Sequence, residues 1–220
     1  MFTAPDQVSL FLQIQRILKP DISVEVGAYD ADFSCAIVKD SAIQAYAFEA
    51  SPYVYEKFRD QLIHINYLNL AVSSIEGTCE FEIQAKLDPS LVGNNSIRKR
   101  NQIKKYKYIE VPCTTLDVFF KNELNKNFAL WIDCEGASEQ VLNGSERLLD
   151  STSSIYIETE TRMYWQDSWL ESDVEQFLTE KNFKMVSKTY EDEGQNNCIF
   201  VKSNLLNSEV ISLIQLTSRK

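Results

Sequence analysis

Short apolar runs alternating with stretches of helical spacing set the plan of this chain. Ile22 to Val26, Ile43 to Phe48, Ile65 to Leu70, Ala129 to Ile132 and Ile155 to Ile157 are brief and largely β-branched or aromatic. That is the composition of strands buried on both faces of a parallel sheet. Between them the apolar positions recur three and four apart. Val8, Phe11, Leu12, Ile14 and Leu18 give an N-terminal helix within residues 1–19, closed by Lys19-Pro20. Asp32 opens a helix through Val38. Ser51-Pro52 starts one running to about Ile63, with Tyr55, Phe58 and Leu62 facing inward. Ala137 to Asn143 ends at Gly144, read as the residue just past a helix, and Leu170 to Lys181 completes the set.

This alternation predicts a doubly wound α/β fold with a mostly parallel, seven-stranded sheet. Phe183–Val186 and Cys198–Val201 leave no room for a helix between them, so they should form a terminal antiparallel hairpin at the sheet edge. Ala71-Val72 continues the third run, Thr78–Gln84 alternates like a half-exposed strand, and Ile109–Cys113 restores a strand before a short helix from Thr114. Residues 85–107 are polar and punctuated by Pro89 and Gly93, the pattern of a lid or substrate loop. Residues 203–220 suggest a loose terminal helix. With no repeat and no linker, residues 1–220 are expected to form one domain.

Composition narrows the partners. The 32 acidic against 22 basic residues leave a net charge of −10, which argues against a nucleic-acid backbone as partner. The basic cluster Arg98-Lys99-Arg100, Lys104-Lys105 and Lys107 reads as a solvated loop. Five scattered cysteines without a CxxC spacing point to reduced thiols rather than to zinc or redox chemistry. Neither a signal-peptide pattern nor a run long enough to span a bilayer is present, and a cytoplasmic location is expected.

The chemistry gathers where Ile22–Val26 meets Gly27. A strand, a sharp turn and a helix opening at Asp32 make the nucleoside-binding corner of such a fold. Glu49 ends the second run 22 positions after Gly27, the spacing of an acidic residue that accepts hydrogen bonds from ribose hydroxyls. A dinucleotide site needs three glycines, and here Gly27 stands alone among Glu25, Asp30 and Asp32. Carboxylates repel a diphosphate but suit a sulfonium and an ammonium, which favours S-adenosylmethionine over a nicotinamide cofactor. His64, the sole histidine, precedes a strand at the edge away from ligands and reads as structural.

The segments Glu25–Ser34, Ala47-Phe-Glu-Ala-Ser-Pro52, Asn69–Val72, Thr115-Leu-Asp117 and Ile132-Asp-Cys-Glu-Gly-Ala137, the last followed by Val141-Leu-x-Gly144, resemble those of the FkbM-type class I S-adenosylmethionine-dependent methyltransferases, in the same order. The resemblance implies O-methylation of a hydroxylated small molecule such as a sugar, glycolipid or natural product, with S-adenosylmethionine as cofactor and no metal. It assigns Glu25, Gly27, Ala28, Tyr29, Asp32, Phe33, Ser34, Glu49, Ala50, Ser51, Asn69, Ala71, Val72 and Asp133 to cofactor binding. Gly27 and Ala28 would lie under the methionine part, Glu49 would hold the ribose, and Asn69–Val72 would border the adenine. Two departures stand out: Ala31 replaces the family's second glycine, and Tyr29 a small polar residue. A left-handed Ala31 costs about 1 kcal/mol, unless the turn is reshaped.

An alcohol needs a base, and no histidine sits at the carboxyl edge, so Asp133, Glu135, Glu158 and Glu160 are the candidates. The alternative readings are that Asp133 and Glu135 cap the following helix and that Glu158 and Glu160 are simply exposed. Tyr164, Trp165 and Trp169 suit sugar stacking, core packing or a homo-oligomer interface alike. Two alternatives remain: a degenerate methyltransferase fold serving binding or assembly, and a nucleotide-dependent oxidoreductase.

Overall fold

A computed structural model of the chain describes residues 4–39, 42–84, 88–89, 93, 95–101 and 106–217. The Met1–Thr3 start and Lys104-Lys105 of the basic cluster lie outside the described residues. The chain runs α1 (Ala4–Leu18), β1 (Ile22–Val26), α2 (Asp32–Lys39), β2 (Gln44–Glu49), α3 (Pro52–Phe58), β3 (Asn66–Asn69), β4 (Ala71–Val72), β5 (Gly77–Gln84) and β6 (Tyr106–Thr114). It continues through α4 (Leu116–Phe119), β7 (Phe128–Ile132), α5 (Ser138–Asn143), β8 (Thr152–Glu160), α6 (Glu171–Glu180), β9 (Phe183–Asp192), β10 (Gln195–Lys202) and α7 (Ser208–Thr217).

Seven strands form one sheet in the order β3-β2-β1-β7-β8-β10-β9. The first five are parallel, and the β9–β10 hairpin is antiparallel, with β10 paired to β8 and β9 at the edge. Successive side chains go to opposite faces. Val24, Val26, Leu130, Ile132, Ile155 and Ile157 pack under α4, α5 and α6, with Val141, Leu142, Val174 and Leu178. On the other face Ala45, Tyr156 and Ile199 meet Leu10, Phe11 and Ile14 of α1 and Phe33 and Ile37 of α2. There Trp131 stacks on Tyr156 with centroids 3.6 Å apart and on Phe33 at 4.6 Å. The N-terminal helix is therefore a packing element, and α7 joins it through Leu213.

Four expectations change. Ala71-Val72 does not continue the third strand. Leu70 breaks the run, and β4 pairs with β6 in a separate three-stranded sheet, β4-β6-β5. Helix α3 stops at Phe58 instead of about Ile63: beyond Arg59 the chain turns, Leu62 still packs inward, and Ile63 is 86% exposed. Strand β8 runs six residues beyond the apolar run Ile155–Ile157, and all nine of its residues are buried, Glu158 and Glu160 included. Gly144 caps α5 with φ −81°, so it is not a left-handed terminator. A Cβ there would overlap the carbonyl oxygen of Ser73, and close packing is what requires glycine.

Candidate active site

The corner after β1 is held by contacts between two loops. Gly27 has φ +79°, and a Cβ at this position would occupy the space of the Asp133 carbonyl oxygen. The Asp133 amide in turn donates to Val26 O at 3.0 Å. Tyr29 and Ala31 are both left-handed, at φ +47° and +55°. Ala31 thus adopts the strained conformation rather than a reshaped turn. Its amide donates to Ala28 O at 2.6 Å, and its methyl is buried with Ala28, Ala47, Leu62 and Tyr67. The Tyr67 hydroxyl pins the turn by donating to Tyr29 O at 2.5 Å. Glu25 lies beneath, where its Oε2 accepts from the Ser34 amide at 2.8 Å. Burial pushes Glu25 up to about 8, with the charges of Asp133 and Asp30 adding to it.

Glu49 closes the corner from β2. Its Oε2 accepts from the Tyr29 amide at 2.9 Å and its Oε1 from the Ser51 amide at 2.6 Å. Burial nevertheless pushes it up to about 7, against the pull of those two bonds. Each oxygen keeps a lone pair for a further donor. Asn69 Nδ2 braces the same bend by donating to Glu49 O at 2.9 Å and Ala50 O at 3.3 Å. Ser51 caps α3, accepting from the Val54 amide at 3.4 Å.

Between these loops lies a narrow cleft of about 540 Å³, its open mouth included. Of the residues assigned to cofactor or catalysis from the sequence, Gly27, Tyr29, Glu49, Ala50, Ser51, Ala71, Val72, Asp133 and Glu135 line it. Glu25, Ala28, Asp32, Phe33, Ser34, Asn69 and Glu158 do not. Phe33 belongs to the aromatic packing behind the sheet, and Asn69 acts on backbone. The cleft also takes Leu70, Phe81 from the small sheet, Gly93, Asn95, Ser96, Ile97, Cys134 and Ala137. Gly93, Asn95, Ser96 and Ile97 belong to the polar stretch 85–107 expected as a lid or substrate loop, of which residues 85–87, 90–92, 94 and 102–105 lie outside the described residues. Which of its residues face inward had no periodic signal.

Beyond Asp133 the wall is acidic. Burial and then the charge of Glu191 push Asp133 up to about 7. Burial, with Asp133, Glu160 and Glu191 opposed by Arg100, pushes Glu135 up to about 8. Glu158 is driven well above the carboxylate range by burial and the same neighbours, while Gln195 Nε2 donates to its Oε1 at 3.0 Å. Burial pushes Glu160 up to about 7, and its Oε1 has no partner. Glu191, held by Asn197 Nδ2, faces this group from β9 and had no signal in the sequence. Among the described residues no three His, Cys, Asp or Glu side chains are grouped to hold a metal ion, and no helix is long and apolar enough to cross a membrane.

The aromatic loop is mostly structural. Trp165 is 1% exposed and offers no free face to a sugar, while Trp169 is partly buried and packs on Phe177 with centroids 5.2 Å apart. Tyr164 donates its hydroxyl to Glu193 O.

A family model described as the methyltransferase FkbM domain matches residues 25–185. No curated protein matches the sequence. Among solved structures, an uncharacterised protein from Listeria monocytogenes serotype 4b aligns with TM-score 0.51 at 11% identity, over 92% of this chain and 69% of that one. Magnesium protoporphyrin IX methyltransferase from Synechocystis PCC 6803, with bound S-adenosylmethionine, aligns with TM-score 0.49 at 10% identity, over 90% and 77%. The 1,6-didemethyltoxoflavin-N1-methyltransferase of Burkholderia thailandensis, with S-adenosylhomocysteine, gives 0.46 at 10%, over 91% and 77%.

Proposed function

The chain belongs to the FkbM-domain methyltransferases, dependent on S-adenosylmethionine, and we propose that it methylates a hydroxyl oxygen of a small polyhydroxylated acceptor, a sugar, glycolipid or natural product. The observation that carries this reading is the pair of carboxyls, Asp133 and Glu135, on the cleft wall whose other side holds Glu49. S-adenosylmethionine supplies an electrophilic methyl on a sulfonium. The residues present fit it. Glu49 retains lone pairs for two ribose hydroxyls, Gly27 keeps the turn free of a side chain, and Leu70, Val72 and Ile97 offer apolar surface for adenine. The acidic lining attracts a cation and repels a pyrophosphate, which disfavours nicotinamide oxidoreduction.

An acceptor hydroxyl attacks weakly until its proton leaves. Carboxyls raised to about 7 and 8 are stronger bases, when ionised, than ordinary carboxylates. Asp133 is the favoured base because its backbone is locked against Gly27. The test is methyl transfer from S-adenosylmethionine to a panel of sugars and polyols, with S-adenosylhomocysteine binding followed by calorimetry. Asp133→Asn should lower turnover at least about a hundredfold, within the range of a lost general base, while still folding. EDTA should leave the rate unchanged. Parental turnover in Asp133→Asn removes that residue from the mechanism, and loss of activity in EDTA that magnesium restores overturns the metal-free reading.

A further inference from the structure

The segment 96–101 crosses from the small sheet to the acidic wall and is laced down on both sides. Its Ser96 hydroxyl donates to Glu135 O at 2.6 Å, while Ser96 O accepts from the Glu82 amide at 2.7 Å. Further along, the Asn101 amide donates to Tyr164 O at 2.9 Å, and the Gln166 amide to Lys99 O at 2.7 Å. Asn101 Nδ2 reaches Met163 O at 2.8 Å. The loop after β7 is shaped to receive this strap. Glu135 has φ +50° and Gly136 φ +76°, and a Cβ on Gly136 would overlap the Trp165 indole. Trp165 therefore lies directly on the Gly136 backbone.

Arg100 completes the stack. Its guanidinium carbon sits 4.0 Å from the Trp165 ring centre, and its Nη2 is 3.8 Å from Glu135 Oε2. Both side chains are mostly buried, at 18% and 19% exposure, so water screens the pair only in part. A flat cation on an indole is fixed in direction as well as in charge.

We propose that Arg100 is a positioning residue for methyl transfer: clamped on Trp165, it holds the Glu135 carboxylate in place on the acceptor side of the cleft. This rests on the reading of that cleft as the site of transfer. Glu135 is faced by Asp133 from its own loop, Glu158 and Glu160 from β8, Glu191 from β9, and Arg100 from the strap. Against that crowd of like charges, the guanidinium favours the ionised form. Without it, Glu135 binds its proton to higher pH and loses its fixed direction.

The variants Arg100→Met and Arg100→Lys are compared with the parent in three measurements. In carboxyl-carbon NMR titrations, with the Glu135 signal assigned by its loss in Glu135→Gln, the midpoint should rise by about one pH unit in Arg100→Met, a tenfold change in proton affinity. It should rise less in Arg100→Lys, which keeps the charge but not the flat stack. Affinity for S-adenosylhomocysteine should stay within about threefold, since Glu49 lies across the cleft; one such factor is below the tenfold that 1.4 kcal/mol represents. If transfer needs Glu135 ionised beside the base Asp133, then with an acceptor from the sugar and polyol panel the acidic limb of turnover should move to higher pH in Arg100→Met, with partial rescue by lysine.

An Arg100→Met midpoint equal to the parent's overturns the proposal, and so does a parental pH profile. Failure of the parent to bind S-adenosylhomocysteine instead sinks the cofactor reading, which the carboxyl titration does not depend on. Should Arg100→Met fail to fold, the Arg100→Lys midpoint decides in the same way.

Discussion

At the scale of single residues, Glu49 carries the most specific expectation. A carboxylate that accepts two amide hydrogens and has lone pairs to spare binds a vicinal diol only while it is ionised. Its value of about 7 then makes S-adenosylhomocysteine affinity pH-dependent. Affinity should weaken by up to about tenfold for each pH unit below 7 and level off above it. Glu49→Ala should cost about 1.5–3 kcal/mol of binding, the worth of charged hydrogen bonds, and Glu49→Gln should bind with little pH dependence. Calorimetry between pH 5.5 and 8.5 reads all three, and a flat parental profile would take Glu49 off the ribose. Ala31 sets up a closer contest. Glycine would relieve roughly 1 kcal/mol of left-handed strain. It would also forfeit about 0.8 kcal/mol of methyl burial and add backbone freedom to the unfolded chain. With the turn already formed around the buried methyl, Ala31→Gly should leave S-adenosylhomocysteine affinity within about threefold. A tenfold tightening would mean that the parental turn is held out of shape, as a degenerate site would be.

At the scale of elements, the strap and the two loops beneath it should behave as one unit. Gly136→Ala adds a methyl where the indole lies, at a backbone angle that already disfavours alanine. It should lower stability by roughly 1–3 kcal/mol and shift tryptophan emission to the red as Trp165 is displaced. Unchanged emission and melting would show the contact to be slack. The same elements mark what could be read in the chain beforehand. Strands β1, β2 and β7 announced themselves because they are largely buried, so the apolar run matches β1 and falls within one residue of the bounds of β2 and β7. Strand β8 showed only its centre, Ile155–Ile157, since Thr152, Ser153, Ser154, Glu158, Thr159 and Glu160 are polar yet buried, and Ser153 and Ser154 bond to partners distant in sequence. Gln15, for example, meets Ser154 across 139 positions. The Gly27–Glu49 corner was legible because its spacing is local to one βαβ unit. The Arg100–Trp165–Glu135 stack joins three separate segments, and no short-range pattern encodes it.

At the scale of the whole molecule, the buried carboxyls govern stability against pH, and the sign follows from their direction. Glu25 stands at about 8 and Glu49 at about 7 when folded, against 4.5 as the ordinary value. Between those limits the folded chain binds more protons than the unfolded one, so stability falls as pH rises. From pH 6 to pH 8, Glu25 alone should cost roughly 2 kcal/mol and Glu49 about 1 kcal/mol more. For a chain of 220 residues that lowers the melting temperature by roughly 6–12 °C, at about 2–4 °C per kcal/mol. Net repulsion at −10 acts in the same direction, but salt screens it and leaves the buried contribution in place. Glu25→Gln separates the two. Its carbonyl oxygen can still accept from the Ser34 amide, but no proton is exchanged, so the slope between pH 6 and 8 should flatten and the variant should outlast the parent at pH 8. Melting curves of both proteins at three pH values and two salt concentrations decide it. A variant that keeps the parental slope at high salt would mean that Glu25 is ionised in the fold and that its burial is compensated elsewhere.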